Sequence, residues 1–519
     1  MRSAVLQHVL FTAALAVGSN SSAQQQPGTG PLRCEELASL PVSNTVITSA
    51  GTITAGAFQP PVPDMFGPPP NYAGLPAFCR VAGSIRPSPE SDIRFELWLP
   101  ESGWNGKFLQ TGNGGAAGAI VYASLVEPLR RGYAVANTDT GHQGGGADFS
   151  WAAGQLQKLI DYQYRAVHEL TVAGKALTAA RYARAPEKSY WNGCSTGGRQ
   201  GLMEAQRFPQ DYDGIIAGAP ASNWHPLMAL SLLIQNNLGP GRLGVDQLAV
   251  LKEAAIAACD ARDGVTDRVI TDPEKCDFDP ASLECRGSEN GPCLAPDEIA
   301  AAMRIYAGVV DRNGQVLMPG TGPGGEPQWA WFQPGVFDIG ANYFRHVVVN
   351  DPGWDPATFD ADTDLAPADR VDGGATAAMD PDLAAFIARG GKLITWHGTT
   401  DGLIPYRNSV NYHQSVLSRL GEREVGDAVK FYLIPGMDHC WGGEGAFEVD
   451  WLTVLEDWVE RGEKPGAVAA AHPELLYGPP GTPPIPSQPF TRLICPWPQM
   501  STYREGDLAA AASFACVAP

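Results

Sequence analysis

Ser195 sits at the centre of Gly193-Cys194-Ser195-Thr196-Gly197. An apolar pair, Tyr190-Trp191, precedes it, and a helical pattern carrying Leu202, Met203 and Ala205 follows until Pro209 stops it. Strand, sharp turn and helix are the setting in which a serine hydroxyl is held out as a nucleophile. The glycines belong there because the turn is strained, and a Cβ at either would strike the strand or the helix. Amides at the start of the helix favour the negative charge that develops on an attacked carbonyl oxygen. The five-residue pattern also arises by chance in a glycine-rich chain. The flanking strand and helix argue instead for acyl transfer through Ser195.

A serine hydroxyl needs a base at neutral pH, and the base needs an orienting carboxylate. In α/β hydrolases these follow the serine as acid, then histidine. Lys392-Leu-Ile-Thr-Trp reads as a strand, and the loop at its end, His397-Gly-Thr-Thr-Asp401, offers Asp401. Lys430-Phe-Tyr-Leu-Ile is the next strand, and Pro435-Gly-Met-Asp438-His439-Cys440 after it offers His439 as the base. Asp438 adjoins that histidine, where a carboxylate rarely reaches the ring, so Asp401 is the expected orienting acid. His472 also follows Asp401, but in a proline-rich tail with no strand read before it. His397 precedes Asp401, breaks the order, and is left a supporting or substrate-contact place.

Elements that could position these residues recur along the chain. Arg94-Phe-Glu-Leu-Trp-Leu-Pro alternates like a strand, and Gly132-Tyr-Ala-Val-Ala-Asn-Thr and Tyr212-Asp-Gly-Ile-Ile-Ala-Gly read as further short strands. Residues 161–183 carry Val167, Leu170, Ala173 and Leu177 near one helical face. Such alternation predicts an α/β fold, a mostly parallel sheet with helices on both faces. Thr111-Gly-Asn-Gly114-Gly, after another strand, is either the second oxyanion loop of such a fold or a flexible connection. From about residue 222 the rhythm is lost, tryptophan, proline and cysteine crowd together, and regular alternation resumes at Gly391. The expected organisation is a core over residues 24–221, an inserted lid over 222–380, and the rest of the core with a tail over 381–519.

Residues 1–23 combine one positive charge, a short apolar run and Ser21-Ser22-Ala23, which reads as a secretory leader cleaved after Ala23. No later stretch is long and apolar enough to span a bilayer. The net charge of -20 argues against nucleic acid or an anionic membrane as partner. The 10 cysteines all follow the leader, an even number in an exported chain, so a disulfide framework is expected in a secreted or periplasmic protein. Sequence leaves the pairing open. Nearest neighbours would pair as Cys34–Cys79, Cys259–Cys276, Cys285–Cys293 and Cys495–Cys516, which leaves Cys194 and Cys440 for each other. An approach of Ser195 to His439 would bring those last two near bridging range.

Two lid features could bind something. Asp260, Asp263 and Asp267, with the backbone carbonyls of Val265 and Val269, offer hard oxygen donors around Gly264, though without EF-hand spacing. The same pattern suits a solvated acidic turn. Trp329, Trp331, Phe332, Phe337, Tyr343 and Phe344 could line an aryl pocket, but such a run more often forms lid core.

Gly-Cys194-Ser195-Thr-Gly-Gly-Arg, His397-Gly-x-x-Asp401 and His439-Cys440, with Trp104-Asn-Gly and Gly112-Asn-Gly-Gly, together resemble the tannase and feruloyl esterase family from about Cys34 to Cys516. The resemblance implies an α/β-hydrolase core with a large lid, a Cys194–Cys440 bridge and a structural calcium at the aspartate loop. It also assigns the oxyanion amides to Thr196 and the Gly114 region, and it names no organic cofactor. Members hydrolyse esters of aromatic acids: hydroxycinnamates, gallates and, in one branch, a terephthalate monoester. That branch carries a bulky aromatic shortly after the triad aspartate, where this chain has Gly402-Leu403-Ile404-Pro405, with Ile404 as a candidate substrate contact.

The expectation is a secreted serine esterase on small aromatic esters, feruloyl esters first, with galloyl or terephthalate esters as alternatives. Two rival classes remain. A non-catalytic, phenolic-binding protein of the same fold would ordinarily lack a triad member, and none is missing here. A peptidase shares the elbow but not the Cys-Ser and His-Cys pairing.

Overall fold

A computed structural model describes residues 30–62, 70–239, 242–287, 292–476 and 483–518. The expected leader lies outside the described residues. Nine strands form one sheet: β1 (Thr45–Ile53), β2 (Phe78–Ile85), β3 (Ile93–Pro100), β4 (Lys107–Thr111), β5 (Ala134–Thr138), β6 (Lys188–Cys194), β7 (Gly214–Gly218), β8 (Lys392–Gly398) and β9 (Val429–Ile434). Their order is β1-β2-β3-β5-β4-β6-β7-β8-β9. The β1, β2, β3 and β5 pairings are antiparallel, and every pairing from β5 through β4 to β9 is parallel.

The parallel half is buried on both sides, and alternate residues of a strand serve opposite faces. Phe108, Ala134, Trp191, Ile215 and Leu393 pack on one face against Leu170 of α2 (Ala166–Tyr182), Leu202 of α3 (Thr196–Arg207) and Val416 of α6 (Tyr406–Leu420). Their chain neighbours Leu109, Val135, Tyr190, Ile216 and Ile394 pack on the other against Leu125 of α1 (Ala123–Arg130) and Leu455 of α7 (Trp451–Arg461). This is an α/β-hydrolase sheet, open at the carboxyl ends of its parallel strands, where loops collect functional residues. The helix read over 161–183 is regular only from Ala166, after a short helix Leu156–Ile160 and a wide π turn Asp161–Arg165.

Among the described residues, the chain between β7 and β8 adds no strand to this sheet. It holds α4 (Trp224–Asn236), α5 (Val245–Cys259), two further long helices, Pro296–Ala307 and Ala361–Asp372, two of five residues each, Ile339–Tyr343 and Ala384–Ala388, and a small hairpin of Val309–Val310 with Val316–Met318. Leu230, Trp329, Tyr343 and Phe344 make a separate apolar cluster there, joined by Phe149, Tyr162 and Ile404 of the core. The tail is more ordered than proline content suggests: Val468–His472 pairs with Phe490–Ile494, and Met500–Tyr503 with Phe514–Val517. Five disulfides join Cys34–Cys79, Cys194–Cys440, Cys259–Cys276, Cys285–Cys293 and Cys495–Cys516.

Candidate active site

Ser195 lies between β6 and α3 with φ 64° and ψ -124°. A left-handed φ at a residue with a Cβ costs on the order of 1–3 kcal/mol and persists only where neighbours impose it. Here its N–H donates to Gly218 O at 3.0 Å, while its carbonyl accepts from the Arg199 and Ala221 amides at 3.0 and 3.1 Å. The turn is tight enough that a Cβ on Gly193 would lie 2.7 Å from the Gly197 carbonyl, and one on Gly112 would lie 2.5 Å from Gly197 Cα.

The loop after β4 is stitched onto this turn. Asn113 and Gln200 exchange two hydrogen bonds of 3.1 Å, Asn113 O accepts from Gly197 N–H at 2.8 Å, and Thr196 Oγ1 donates to Gly115 O at 2.6 Å. Neither the Thr196 nor the Gly114 amide has an acceptor among the described residues. An oxyanion hole needs donors in that state.

Asp401, at the end of β8, is fully buried and its carboxylate takes four N–H donors. Oδ1 accepts from the Leu403 and Ile404 amides at 2.9 and 2.8 Å. Oδ2 accepts from His439 Nδ1 at 2.6 Å and from His397 Nε2 at 3.2 Å. Burial pushes this carboxyl up, but the His439 charge and the two imidazole bonds outweigh it and hold it well below the usual carboxylate range. With Nδ1 given to Asp401, His439 has Nε2 left to act as a base, 3.6 Å from Cys440 Sγ.

The Cys194–Cys440 bridge, with Cα atoms 6.0 Å apart, joins the residue before Ser195 to the residue after His439. Ser195 Oγ makes no hydrogen bond among the described residues; such contacts commonly tighten only around a substrate.

Of the two places left open for His397, supporting or substrate-contacting, its surroundings match the supporting one. It is fully buried, its Nε2 also lies 2.9 Å from Ile404 O, and its Nδ1 lies 2.7 Å from Ser409 Oγ. Both Nε2 partners only accept, so the partners assign the proton to Nε2, and the Ser409 hydroxyl donates to Nδ1. Ile404 is 4% exposed, with its amide and carbonyl committed to Asp401 and His397. Asp438 does not serve the histidine: its Oδ1 accepts from Thr400 Oγ1 at 3.0 Å. His472 does end a strand, contrary to the sequence reading, because Val468–His472 pairs with Phe490–Ile494. It is buried with its ring nitrogens 2.7 Å from Gly445 O and Ser487 Oγ.

Gln328 was not singled out in the sequence. Its Oε1 accepts from the His439 amide at 3.0 Å and the Gly402 amide at 3.3 Å, and its Nε2 donates to Thr400 O at 2.7 Å. One side chain from the segment between β7 and β8 thus ties the aspartate loop to the histidine loop. A lone amide inside the aromatic run Gln328-Trp-Ala-Trp-Phe was the available signal.

The aromatic run is mainly core. Trp329, Phe332, Tyr343 and Phe344 are buried, while Trp331 and Phe337 are half-buried and meet edge-on at 6.2 Å. Of the arginines in this segment that could meet a substrate carboxylate, Arg304 donates to Asn237, Arg312 pairs with Asp362 and Arg345 donates to Trp354 O. A cavity of about 900 Å³ opens beside Cys440 among Trp396, Met437, Trp441, Phe447 and Trp451. Ser195, Asp401 and His439 do not line it.

In the aspartate loop, Asp260 Oδ1 accepts from the Asp267 amide at 3.1 Å, Asp263 Oδ1 from the Val265 amide at 2.9 Å, and Asp267 Oδ1 from the Val269 amide at 3.1 Å. Arg492 pairs with Asp267 Oδ2. Burial first, then the charges of Asp267 and Asp260, raise the Asp263 carboxyl. Carboxylate and carbonyl oxygens are the donors a hard divalent cation takes, but among the described residues these three carboxylates do not gather within 4.8 Å of one another.

The sequence family described as tannase and feruloyl esterase matches residues 79–517. An uncharacterised esterase of Xanthomonas campestris pv. campestris is 36% identical, over 93% of this chain and 91% of its own. The mono(2-hydroxyethyl) terephthalate hydrolase of Piscinibacter sakaiensis is 33% identical, over 86% of each. The crystal structure of feruloyl esterase B from Aspergillus oryzae superposes with a TM-score of 0.83 at 30% identity, covering 93% of this chain and 99% of that one. A serine at a strand-to-helix turn, a histidine bonded to a buried aspartate, and these likenesses together make the chain a member of the tannase and feruloyl esterase family of carboxylic ester hydrolases.

Proposed function

We propose that the protein is a secreted or periplasmic serine esterase that cleaves small esters of aromatic acids, hydroxycinnamoyl (feruloyl) esters first. Ser195 attacks the ester carbonyl while His439 Nε2 takes its proton. Asp401 steadies the imidazolium, and the Thr196 and Gly114 amides receive the oxyanion. His439 then returns the proton to the leaving alcohol, and a water activated by the same nitrogen releases the acid from the acyl-enzyme. The observation that carries this reading is the 2.6 Å bond from His439 Nδ1 to Asp401, beside a bridge that reaches the neighbour of Ser195. Ile404 in place of a bulky aromatic favours hydroxycinnamates over the terephthalate monoester. Five disulfides support an oxidising compartment, and no helix among the described residues is long and apolar enough to cross a membrane.

We also propose that Asp260, Asp263 and Asp267, with the Val265 and Val269 carbonyls, hold a calcium ion whose role is to pin that loop.

The test is Ser195→Ala beside the unaltered enzyme, on methyl ferulate, methyl gallate and mono(2-hydroxyethyl) terephthalate. Loss of at least four orders of magnitude in kcat on every ester is expected, and ferulate should lead for the unaltered enzyme. Turnover retained by the variant would sink the mechanism; a lead for gallate or terephthalate would reassign the substrate.

A further inference from the structure

We propose that His168, Glu204 and Asp211 form a binding site for a divalent transition cation of the zinc class, separate from the serine site and from the aspartate loop. His168 comes from α2, Glu204 from the last turns of α3 and Asp211 from the turn before β7. A His168 ring nitrogen and one oxygen of each carboxylate all lie within 4.8 Å of one another. His168 Nδ1 is 2.6 Å from Asp211 Oδ2, and the ring stacks on Phe208 with centroids 4.0 Å apart, which fixes its plane.

Glu204 is the observation that points to a ligand. It is 1% exposed, and neither carboxylate oxygen has a hydrogen-bond donor among the described residues. A buried carboxylate left this way is costly. Burial first, then the Asp211 charge, raises its carboxyl well above the usual range. The ammonium nearby does not fill the role: Lys175 donates to the Asp211 carbonyl and lies 5.6 Å from the centre of the Tyr212 ring.

One imidazole and two carboxylates balance a divalent charge, and a mixed nitrogen and oxygen set suits zinc better than calcium. His168 is 31% exposed at its side chain and borders a surface pocket of about 560 Å³ shared with Glu169 and Ala176, which gives the ion an entry path and room for a solvent ligand. Glu204 lies about 13 Å along α3 from Ser195, so the cation would brace the elbow helix and touch no reacting atom.

The full chain is stripped with chelator, returned to excess calcium chloride to occupy the aspartate loop, and titrated with zinc chloride by calorimetry. One zinc per chain is expected, together with a thermal midpoint several degrees higher. His168→Asn, at a partly exposed ring, should weaken binding at least tenfold. Glu204→Gln keeps the shape and removes the charge; it should weaken zinc equally while its zinc-free midpoint stays at or above that of the unaltered protein. Cobalt(II) in place of zinc should give visible absorption bands absent from both variants. Zinc binding unchanged in His168→Asn, or none in the unaltered chain, would overturn the site and leave Glu204 and Asp211 as a pair sharing a proton.

Discussion

Cys194 and Cys440 are 246 residues apart in sequence and covalently joined, one immediately before Ser195 and the other immediately after His439. Closing so long a loop lowers the entropy of the unfolded chain by up to about 5 kcal/mol in the simplest treatment. The bridge also fixes the spacing of two loops that share no other covalent tie. Replacing both cysteines by serine should lower the thermal midpoint by several degrees. It should also lower kcat at least tenfold at a temperature where the variant is still fully folded. A variant that loses stability alone, with kcat intact, would make the bridge a staple with no part in positioning the base.

His397 is predicted to act through Asp401. It supplies one of the four donors on the carboxylate and, through Ile404 O, ties down the backbone that supplies another. His397→Gln should lower kcat by about tenfold to a hundredfold while KM stays within twofold, because the residue is fully buried behind Asp401. A rise in KM at constant kcat would return it to the substrate pocket.

Asp139, after β5, should give the fold a pH dependence of its own. Its Oδ1 accepts from the Arg94 and Gly141 amides at 2.9 Å, while buried Oδ2 has no donor among the described residues, and burial pushes the carboxyl up to about 7. Between about pH 4 and pH 7 the folded protein therefore holds a proton that the unfolded chain has released, and stability falls as pH rises through that window. The cost on going from pH 5 to pH 8 is on the order of 3 kcal/mol. Asp139→Asn should flatten this slope in denaturant titrations at the two pH values; an unchanged slope would assign it to other groups. Asp401 works in the opposite sense, contributing stability above about pH 4 that is lost as pH falls below it.

Removing calcium should cost stability and leave chemistry alone. At a calcium concentration a hundredfold above Kd, binding contributes about 2.7 kcal/mol, so exhaustive chelation should lower the thermal midpoint by several degrees, with recovery on adding calcium. kcat at 25 °C should not change, since no aspartate of the loop bonds to Ser195, Asp401 or His439. A midpoint indifferent to EDTA, with no calcium found by elemental analysis, would remove the ion.

The sequence made some of this site legible because some of it is local. The elbow glycines, the strand before Asp401 and the strand before His439 each occupy a few consecutive residues, and acid before histidine is an order that can be read along a line. The support around them is not local. His397 is four residues from Asp401 and was discounted for coming first, yet burial places it behind the carboxylate as a donor. Gln328 lies 111 residues from His439, and nothing in its neighbourhood announces that its amide serves two distant loops. The strand ending at His472 was missed because its partner, Phe490–Ile494, lies beyond a proline-rich stretch, and pairing rather than propensity makes it a strand. Asp260, Asp263 and Asp267 could be seen as a cluster, but not that Arg492 from the tail would reach one of them.

The strands β7 and β8 are bonded side by side although some 170 residues of chain separate them. What hangs between those neighbours can be exchanged for a relative's version without re-threading the scaffold, provided its ties to the core are carried across, Gln328 to the His439 loop and Thr376 to Arg199 among them. Bond-breaking machinery and the excursion can then drift at different rates, and a chimera that swaps only this excursion should keep the host's hydroxyl, imidazole and carboxylate in place.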